Sequence, residues 1–279
     1  MIKIILFSIL LASVYGCESK KKEFSYIFMG HTYDTEPIID KRIKIENLKT
    51  YDQIWLGGDI TSNSGEKWKL DYLDSVFKIK SNQTHWAFGN HDIRNGRDIL
   101  VEYINKPPYY ATNVNGITLL VYDTNYNDNG DCDDVNKQSE YIKMVCDTIQ
   151  NSSHLILMGH HVPWGKIDSN IVMNYANTSL ENRVFQCDTF DFFHNVIYPK
   201  LVDVQQKNIQ VICLAGDLGQ KQSTYQYKTN EGIYFLGSGL LSTNNYNTKF
   251  SQYGKSDSVL VFSHIPSKRT LNWKFKKME

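Results

Sequence analysis

The sequence predicts an α/β fold in which parallel strands alternate with helices. Three apolar runs, at residues 24–29, 53–56 and 86–88, are separated by stretches of helical periodicity at residues 38–48 and 66–80. Each run stops at a glycine that is followed by polar side chains. Because strands in this order form a parallel sheet whose carboxyl ends share one edge, we expect the three polar loops to lie side by side.

The second half of the chain repeats this pattern. Apolar runs at residues 117–122, 155–158 and 211–215 also end at polar residues, and a helical stretch covers residues 136–149. Short polar connections join the last three strand-like runs, which predict an antiparallel closing sheet at residues 233–236, 258–262 and 270–275.

Composition and charge limit the possible classes of protein. The chain has 279 residues, of which 41% are hydrophobic and 22% charged, so it is globular and long enough for one large α/β domain. The formal net charge is zero, so no basic field indicates nucleic acid binding. We therefore expect a single domain over residues 24–279 that recognises something other than nucleic acid.

The N-terminus resembles an export signal. Residues 1–16 have a positively charged start, an apolar stretch too short for a stop-transfer helix, and small residues before Cys17, as in a secretory signal peptide. A cysteine at this boundary resembles the bacterial lipoprotein signal, in which the cysteine is lipidated and becomes the new N-terminus. Ordinary signal cleavage is the alternative, because Tyr15 is bulky for that signal. On the first interpretation residues 17–23 form a polar tether, and the protein is membrane-anchored and faces the periplasm or the outside of a bacterial cell.

Four further cysteines would follow this boundary. Cys146 and Cys213 lie in helical and apolar stretches, so we expect them in the core. Cys132 and Cys187 lie in loops of a chain whose export would permit disulfides, and the sequence leaves their pairing open.

Five strand-end motifs carry the candidate chemistry. Ligand-binding crevices of open α/β sheets form at the carboxyl ends of strands. Carboxylates, imidazoles and amide oxygens are ligands for divalent metal ions that activate water or polarise an ester. One such turn is commonly only a turn, whereas five in succession indicate a metal-assisted site: Gly30-His31, Gly58-Asp59, Gly89-Asn90-His91-Asp92, Gly159-His160-His161 and Gly216-Asp217.

The order of these motifs resembles the calcineurin-like metallophosphoesterase family over nearly the whole mature chain. Connecting segments at residues 121–124, 138–147 and 234–239 are also similar to that family. The resemblance implies a four-layer α/β/β/α sandwich of two mixed sheets flanked by helices. It also implies metal-dependent hydrolysis of a phosphomonoester or a phosphodiester.

The resemblance assigns metal-binding roles to five residues. Asp59 would bridge two metal ions, and His31 would help to hold the first. Asn90 and His160 would hold the second, with Asp217 in place of the usual imidazole. These ligands suit manganese, iron or zinc.

The catalytic roles implied by the resemblance fall on His91 and Asp92. His91 would contact the phosphate or the leaving oxygen, and Asp92 would orient it. His161 is a possible additional site residue that would bind or orient its neighbour.

Two departures from the family pattern weaken the first metal site. Met29 stands where an aspartate is usual, and Gly219 stands where a second histidine is usual. The first site then keeps His31 and Asp59, with Asp34 as a possible extra ligand, so we expect one well-held ion and a weaker second. The alternative function is a catalytically reduced relative that serves as a binding or scaffold lipoprotein in the cell envelope.

Overall fold

The computed structural model describes residues 22–33, 39–125, 132–178, 190–240 and 257–278, and the backbone of residues 186–187. The strands of the first half are β1 (Phe24–Met29), β2 (Gln53–Leu56), β3 (Thr84–Trp86), β4 (Tyr110–Val114) and β5 (Ile117–Val121). Those of the second half are β6 (His154–Gly159), β7 (Gln186–Cys187), β8 (Phe190–Asp191), β9 (Gln210–Ala215), β10 (Thr224–Lys228), β11 (Tyr234–Ser238), β12 (Ser258–Ile265) and β13 (Thr270–Lys277). The helices are α1 (Ile45–Leu48), α2 (Lys67–Phe77), α3 (Arg97–Ile104), α4 (Cys132–Thr148), α5 (Ser169–Asn174) and α6 (Tyr198–Gln206), the last preceded by a π-helical segment, Phe193–Ile197.

Two mixed sheets contain the larger strands. The first has the order β13-β12-β1-β2-β3, and the second has the order β10-β11-β9-β6-β5-β4. Within the first, β1, β2 and β3 are parallel; within the second, β5, β6, β9 and β11 are parallel. The predicted α/β class, with two mixed sheets flanked by helices, is confirmed.

Alternation of side chains along the strands builds the layers. Tyr26 and Phe28 of β1 lie in a buried cluster that also contains residues of β5, β6, β9 and β11, so this cluster fills the space between the two sheets. The alternate residues Ile27 and Met29 pack instead with Leu70 and other buried residues of α2. A third cluster packs α4 and α6 against the other face of the second sheet. Each sheet therefore has one face toward its partner and one toward helices.

The prediction that the last three strands form one closing antiparallel sheet was wrong. β12 and β13 do form an antiparallel pair, but β12 adds to β1 in the first sheet. β11 lies parallel to β9 in the second sheet. Phe235 and Leu236 are both buried, as in a central parallel strand covered on both faces, and a short apolar run does not reveal which sheet it joins.

Helix boundaries also differ from the prediction. In place of the helix expected at residues 38–48, the described part of this stretch contains only the four-residue α1. The elements that were not predicted are short and carry weak periodicity: α3, α5, α6, β4, β7, β8 and β10.

The described residues include Cys132, Cys146 and Cys213 but exclude the leader and Cys17. Cys146 and Cys213 are buried and free, and Cys132 is disulfide-bonded. Within the residues that the structure places, no helix is both long and apolar enough to cross a membrane. Cys17 and the leader lie outside the described residues, so the export and lipidation predictions stay predictions.

Candidate metal centre

The loops after β1 and β2 hold two of the predicted ligands in an unusual backbone conformation. His31 and Asp59 have φ angles of 54° and 53°, in the left-handed region that non-glycine residues seldom adopt. The His31 N–H donates to Gly58 O at 2.8 Å, which ties the two loops together. Such conformations cost free energy and concentrate at functional sites, so these two loops are candidates on backbone geometry as well as on residue type.

Two glycines allow the loops to approach one another. A Cβ at Gly58, whose φ is +86°, would lie 2.4 Å from Nδ1 of His160. A Cβ at Gly89 would lie 2.2 Å from Oδ1 of Asp59. Both distances are far inside van der Waals contact, so a side chain at either position would displace a candidate ligand.

Asp59 lies at the centre of the cluster. Its Oδ1 is 3.5 Å from Nε2 of His160, and its Oδ2 is 3.6 Å from Nε2 of His31. The ring Nε2 of His91 is 4.0 Å from the same Oδ2. Side chains from the loops after β1, β2 and β3 of one sheet and after β6 of the other thus converge at the strand ends.

His160 has the geometry of a metal-binding imidazole. It is fully buried, and its Nδ1 donates to Gly57 O at 2.8 Å. Nε2 of His160 therefore has no hydrogen bond among the described residues. The same is true of Nδ1 of His31. A metal-binding histidine characteristically donates its other ring nitrogen to a carbonyl or carboxylate, so the arrangement fits a divalent ion at Nε2.

Asp217 and His161 complete a tight group with His160. One ligand atom from each of the three lies within 4.8 Å of the others, and all three residues are buried. Oδ1 of Asp217 is 4.0 Å from Nε2 of His160. Oδ2 of Asp217 accepts a hydrogen bond from Thr178 N at 3.0 Å. Nδ1 of His161 contacts Oγ1 of Thr124 at 2.7 Å, which fixes the ring.

Charge in the cluster is concentrated on Asp59 and His160. Burial raises the pKa of Asp59, but His160 and His31 outweigh it and hold that pKa well below its usual range. Burial lowers the pKa of His160, whereas Asp59 and Asp217 raise it, to about 10. Burial, followed by His160, lowers the pKa of His161 to about 3. In the absence of a metal ion, a proton on His160 Nε2 therefore balances Asp59, and a metal ion would have to displace it.

The contacts of Asp92 give no support to the predicted orienting role toward His91. Its carboxylate is fully buried and accepts five N–H bonds, and none of these comes from the His91 ring. Oδ2 accepts from the backbone N–H groups of Asp59 and Gly89, both at 2.8 Å, and from Trp86 Nε1 at 3.1 Å. Oδ1 accepts from Ile60 N at 2.7 Å and Thr61 N at 2.9 Å. Asp92 therefore fastens the loop after β2 to the turn after β3.

His91 instead contacts two residues that the sequence analysis missed. Its backbone N–H donates to Oδ1 of Asp59 at 2.9 Å. Its ring stacks on Tyr33, with centroids 4.8 Å apart, and its Nε2 is 3.2 Å from Nη2 of Arg94. Tyr33 also contacts the His31 ring, with centroids 5.0 Å apart. The signal available in the sequence was proximity, because Tyr33 and Arg94 follow His31 and His91 by two and three positions.

The remaining predicted residues have mixed outcomes. Asn90 is half-buried in the turn after β3, between Gly89 and His91. Asp34 lies outside the described residues. Met29 is 1% exposed and packs against helix residues such as Leu70, and Gly219 has a φ of +124° that suits glycine. The two departures from the family pattern therefore supply no metal ligand.

A buried polar network supports the turn after β3 from the second sheet. Asn125 Nδ2 donates to Phe88 O at 2.8 Å and to Asp123 Oδ1 at 2.7 Å. Arg97 Nη1 donates to Oδ2 of Asp123 at 2.5 Å, and Gln138 bonds both backbone groups of Asp123. The strand end at residues 121–124 thus positions the candidate site without contributing a ligand.

The fold and site together define a mixed α/β sandwich with a candidate buried metal centre at its strand ends. No family model matches the chain, and no curated protein matches it. Among solved structures, it is similar to a phosphopantetheinyl hydrolase (PptH) from Mycobacterium tuberculosis, with 12% identity over 81% of this chain and 92% of that one, and a TM-score of 0.46. It is also similar to Vacuolar Protein Sorting 29 from Cryptosporidium parvum, with 10% identity over 91% of this chain and 97% of that one, and a TM-score of 0.37. Such distant likenesses assign no activity to this chain.

Proposed function

We propose that the protein is a metal-dependent phosphoric ester hydrolase that acts on a phosphomonoester or a phosphodiester. The observation that carries the proposal is the buried convergence of Asp59, His31, His160 and Asp217, with an imidazole nitrogen of His160 left without a hydrogen-bond partner in the described structure. Buried polar atoms are ordinarily paired, and the nearest carboxylate oxygens to this nitrogen, on Asp59 and Asp217, lie 3.5 and 4.0 Å away, so the group is suited to hold a ligand. Two carboxylates and two imidazoles suit a borderline divalent ion such as manganese, iron or zinc.

The candidate ligands divide unequally between two positions. Asp59, His160 and Asp217, with Asn90 from the turn after β3, would hold one ion well. Asp59 and His31 would hold a second weakly, because Met29 offers no oxygen. A bound divalent ion supplies Lewis-acid polarisation of the phosphoryl group and lowers the pKa of water.

The chain itself contributes a proton-handling group at His91. Burial lowers its pKa, and although Asp59 raises it, the net direction is downward, so His91 is neutral at pH 7. Arg94 has only donors, so in this contact the Nε2 atom of His91 is an acceptor; it can take a proton or bond a hydroxyl once the guanidinium turns to another partner. Tyr33 covers one face of the ring and limits its access to water.

The proposal includes export and attachment to a membrane through a lipid on Cys17. Its support is the sequence of the leader, with an apolar stretch and Gly16 before Cys17. On this proposal the partners are a phosphoester substrate and a lipid bilayer, with no nucleic acid.

Hydrolysis by residues 17–279, loaded in turn with manganese, iron and zinc, tests the function. We expect turnover of nitrophenyl phosphate or bis-nitrophenyl phosphate, and we expect His91→Ala to lower kcat about 100-fold with metal content unchanged. His194 is exposed and outside the site, so His194→Ala is the matched control and should retain the wild-type rate. No hydrolysis of either ester by folded, metal-loaded protein would refute the proposal and favour the binding or scaffold alternative.

A further inference from the structure

Arg94 occupies an unusual position at the edge of the candidate metal centre. Its Nη2 lies 3.2 Å from Nε2 of His91, and that same nitrogen lies 4.0 Å from Oδ2 of Asp59. The guanidinium is thus separated from the central carboxylate by one imidazole. Neutral imidazole offers it a hydrogen bond but no opposite charge.

The other arginines that the structure describes have settled partners. Arg42 Nη2 lies 2.5 Å from Asp40 and 2.6 Å from Asp257, and Arg97 Nη1 lies 2.5 Å from Asp123. Arg269 donates to Ser152 O at 2.8 Å, away from the site. Within the described ranges, Arg94 is exposed and has no carboxylate partner. Among the residues that the structure describes, nothing neutralises its charge, which is therefore available to an incoming anion.

We infer that Arg94 binds a terminal phosphoryl oxygen of the substrate and makes the site prefer phosphomonoesters over phosphodiesters. The inference rests on the proposed function. A phosphomonoester carries about −1.5 to −2 charges at pH 7, whereas a diester carries one, so a guanidinium at the edge of the site benefits the monoester more. The planar guanidinium of arginine can donate two parallel hydrogen bonds to two phosphoryl oxygens, and the ammonium group of lysine lacks this geometry.

The incomplete first metal position supports this preference. Met29 and Gly219 contribute no ligand, so less metal charge is available to neutralise the second negative charge of a monoester. Arg94 lies on the His91 side of the cluster, and Asp217 lies close to His160. The guanidinium therefore adds positive charge next to His91, which faces the same oxygen of Asp59 as His31 does, whereas His160 faces the other oxygen.

Substitution of Arg94 tests the inference with two substrates. In manganese-loaded protein we measure kcat/KM for nitrophenyl phosphate and bis-nitrophenyl phosphate in wild type, Arg94→Gln and Arg94→Lys. We expect Arg94→Gln to lower the monoester value by roughly 10- to 100-fold, as for loss of a hydrogen bond to a charged group, and the diester value much less. Arg94→Lys should recover part of the monoester loss. Lys274 is exposed on β13, so Lys274→Gln, which removes the same charge elsewhere, should change neither value.

The outcomes separate this inference from the proposed function. If wild type hydrolyses either ester and Arg94→Gln lowers both values equally, or neither, the inference is overturned and the hydrolase proposal stands. If wild type hydrolyses neither ester, the hydrolase proposal fails, and calorimetric binding of inorganic phosphate to the same metal-loaded variants decides the role of Arg94. Weaker phosphate binding by Arg94→Gln would then support the anion contact, and unchanged binding would overturn it.

Discussion

Asp92 shows at the scale of one residue how a side chain beside the chemistry can act on the backbone. Its carboxylate accepts three bonds from consecutive N–H groups of residues 59–61, one from Gly89 and one from the Trp86 ring. These bonds stabilise the left-handed conformation of Asp59. Asp92 is therefore a support for the metal centre, one step removed from the substrate.

Loss of these hydrogen bonds should lower the stability of the fold. We predict that Asp92→Asn lowers the free energy of unfolding by about 2–4 kcal/mol, because an amide nitrogen would face buried N–H donors that have no other acceptor. Urea denaturation of metal-free protein measures it. Glu102 is exposed on α3, so Glu102→Gln is the matched control and should change stability by less than about 0.5 kcal/mol. If Asp92→Asn were as stable as this control yet lost activity, the result would favour the predicted orienting role of Asp92 toward His91.

Residue-level prediction from sequence succeeded where the strand order alone brings side chains together. His31, Asp59, His160 and Asp217 converge because each follows a strand at the same edge of its sheet. The partners of Asp92 could not be predicted, since they are mostly backbone groups about thirty residues earlier. Tyr33 and Arg94 were missed because their contacts depend on how the loops turn.

Strand-end turns are the elements that determine how closely the ligands approach. The turn after β3 lies against the loop after β2, and Gly89 is the point of contact. A parallel strand order predicts that the loops are neighbours, whereas the glycines determine the separation between them. The site therefore depends on the absence of a side chain at defined positions.

A single methyl group in this turn should abolish metal binding. For Gly89→Ala we predict loss of metal occupancy, because the added Cβ would lie 2.2 Å from Asp59 Oδ1 and 2.3 Å from Asp59 N. Metal analysis after dialysis measures the occupancy. Gly116→Ala is the control, since its Cβ would meet nothing within 4 Å, and although its φ of +89° makes alanine strained, occupancy should be unchanged. Full occupancy in Gly89→Ala would show that Asp59 is not a ligand.

Elements were predicted unevenly from the sequence. Long amphipathic helices and apolar strands were recognised, since α2, α4, β1 and β6 have clear periodicity. The helix predicted at residues 38–48 was mostly wrong. The placement of β11 and β12 in different sheets depends on which face each strand buries, and short runs do not contain that information.

At the scale of the whole molecule, both sheets contribute residues to one candidate metal centre. Asp59 and His31 follow strands of the first sheet, and His160 and Asp217 follow strands of the second. Attachment to a membrane through Cys17 is the other whole-molecule proposal. Residues 17–23 would then link the lipid to β1.

Membrane attachment is tested by removing the proposed acyl acceptor. We predict that Cys17→Ala moves the protein from the membrane fraction to the soluble fraction of an expressing bacterial cell, because no thiol remains for lipidation. Ser19→Ala, a neutral change two residues further along the tether, should remain in the membrane fraction. Wild-type protein whose mature N-terminus lies elsewhere and lacks an acyl group would contradict the anchor.

Metal stoichiometry decides whether the cluster around Asp59 is a metal centre. Protein comprising residues 17–279 is titrated with manganese by calorimetry and analysed for metal after dialysis, in wild type, Asp59→Asn, His160→Ala and His31→Ala. We predict one tightly held ion per chain, lost in Asp59→Asn and His160→Ala and largely retained in His31→Ala, because Asp59, His160 and Asp217 form the better-supplied position. Absence of any tight ion in wild type, or equal retention in all three variants, would contradict the metal centre.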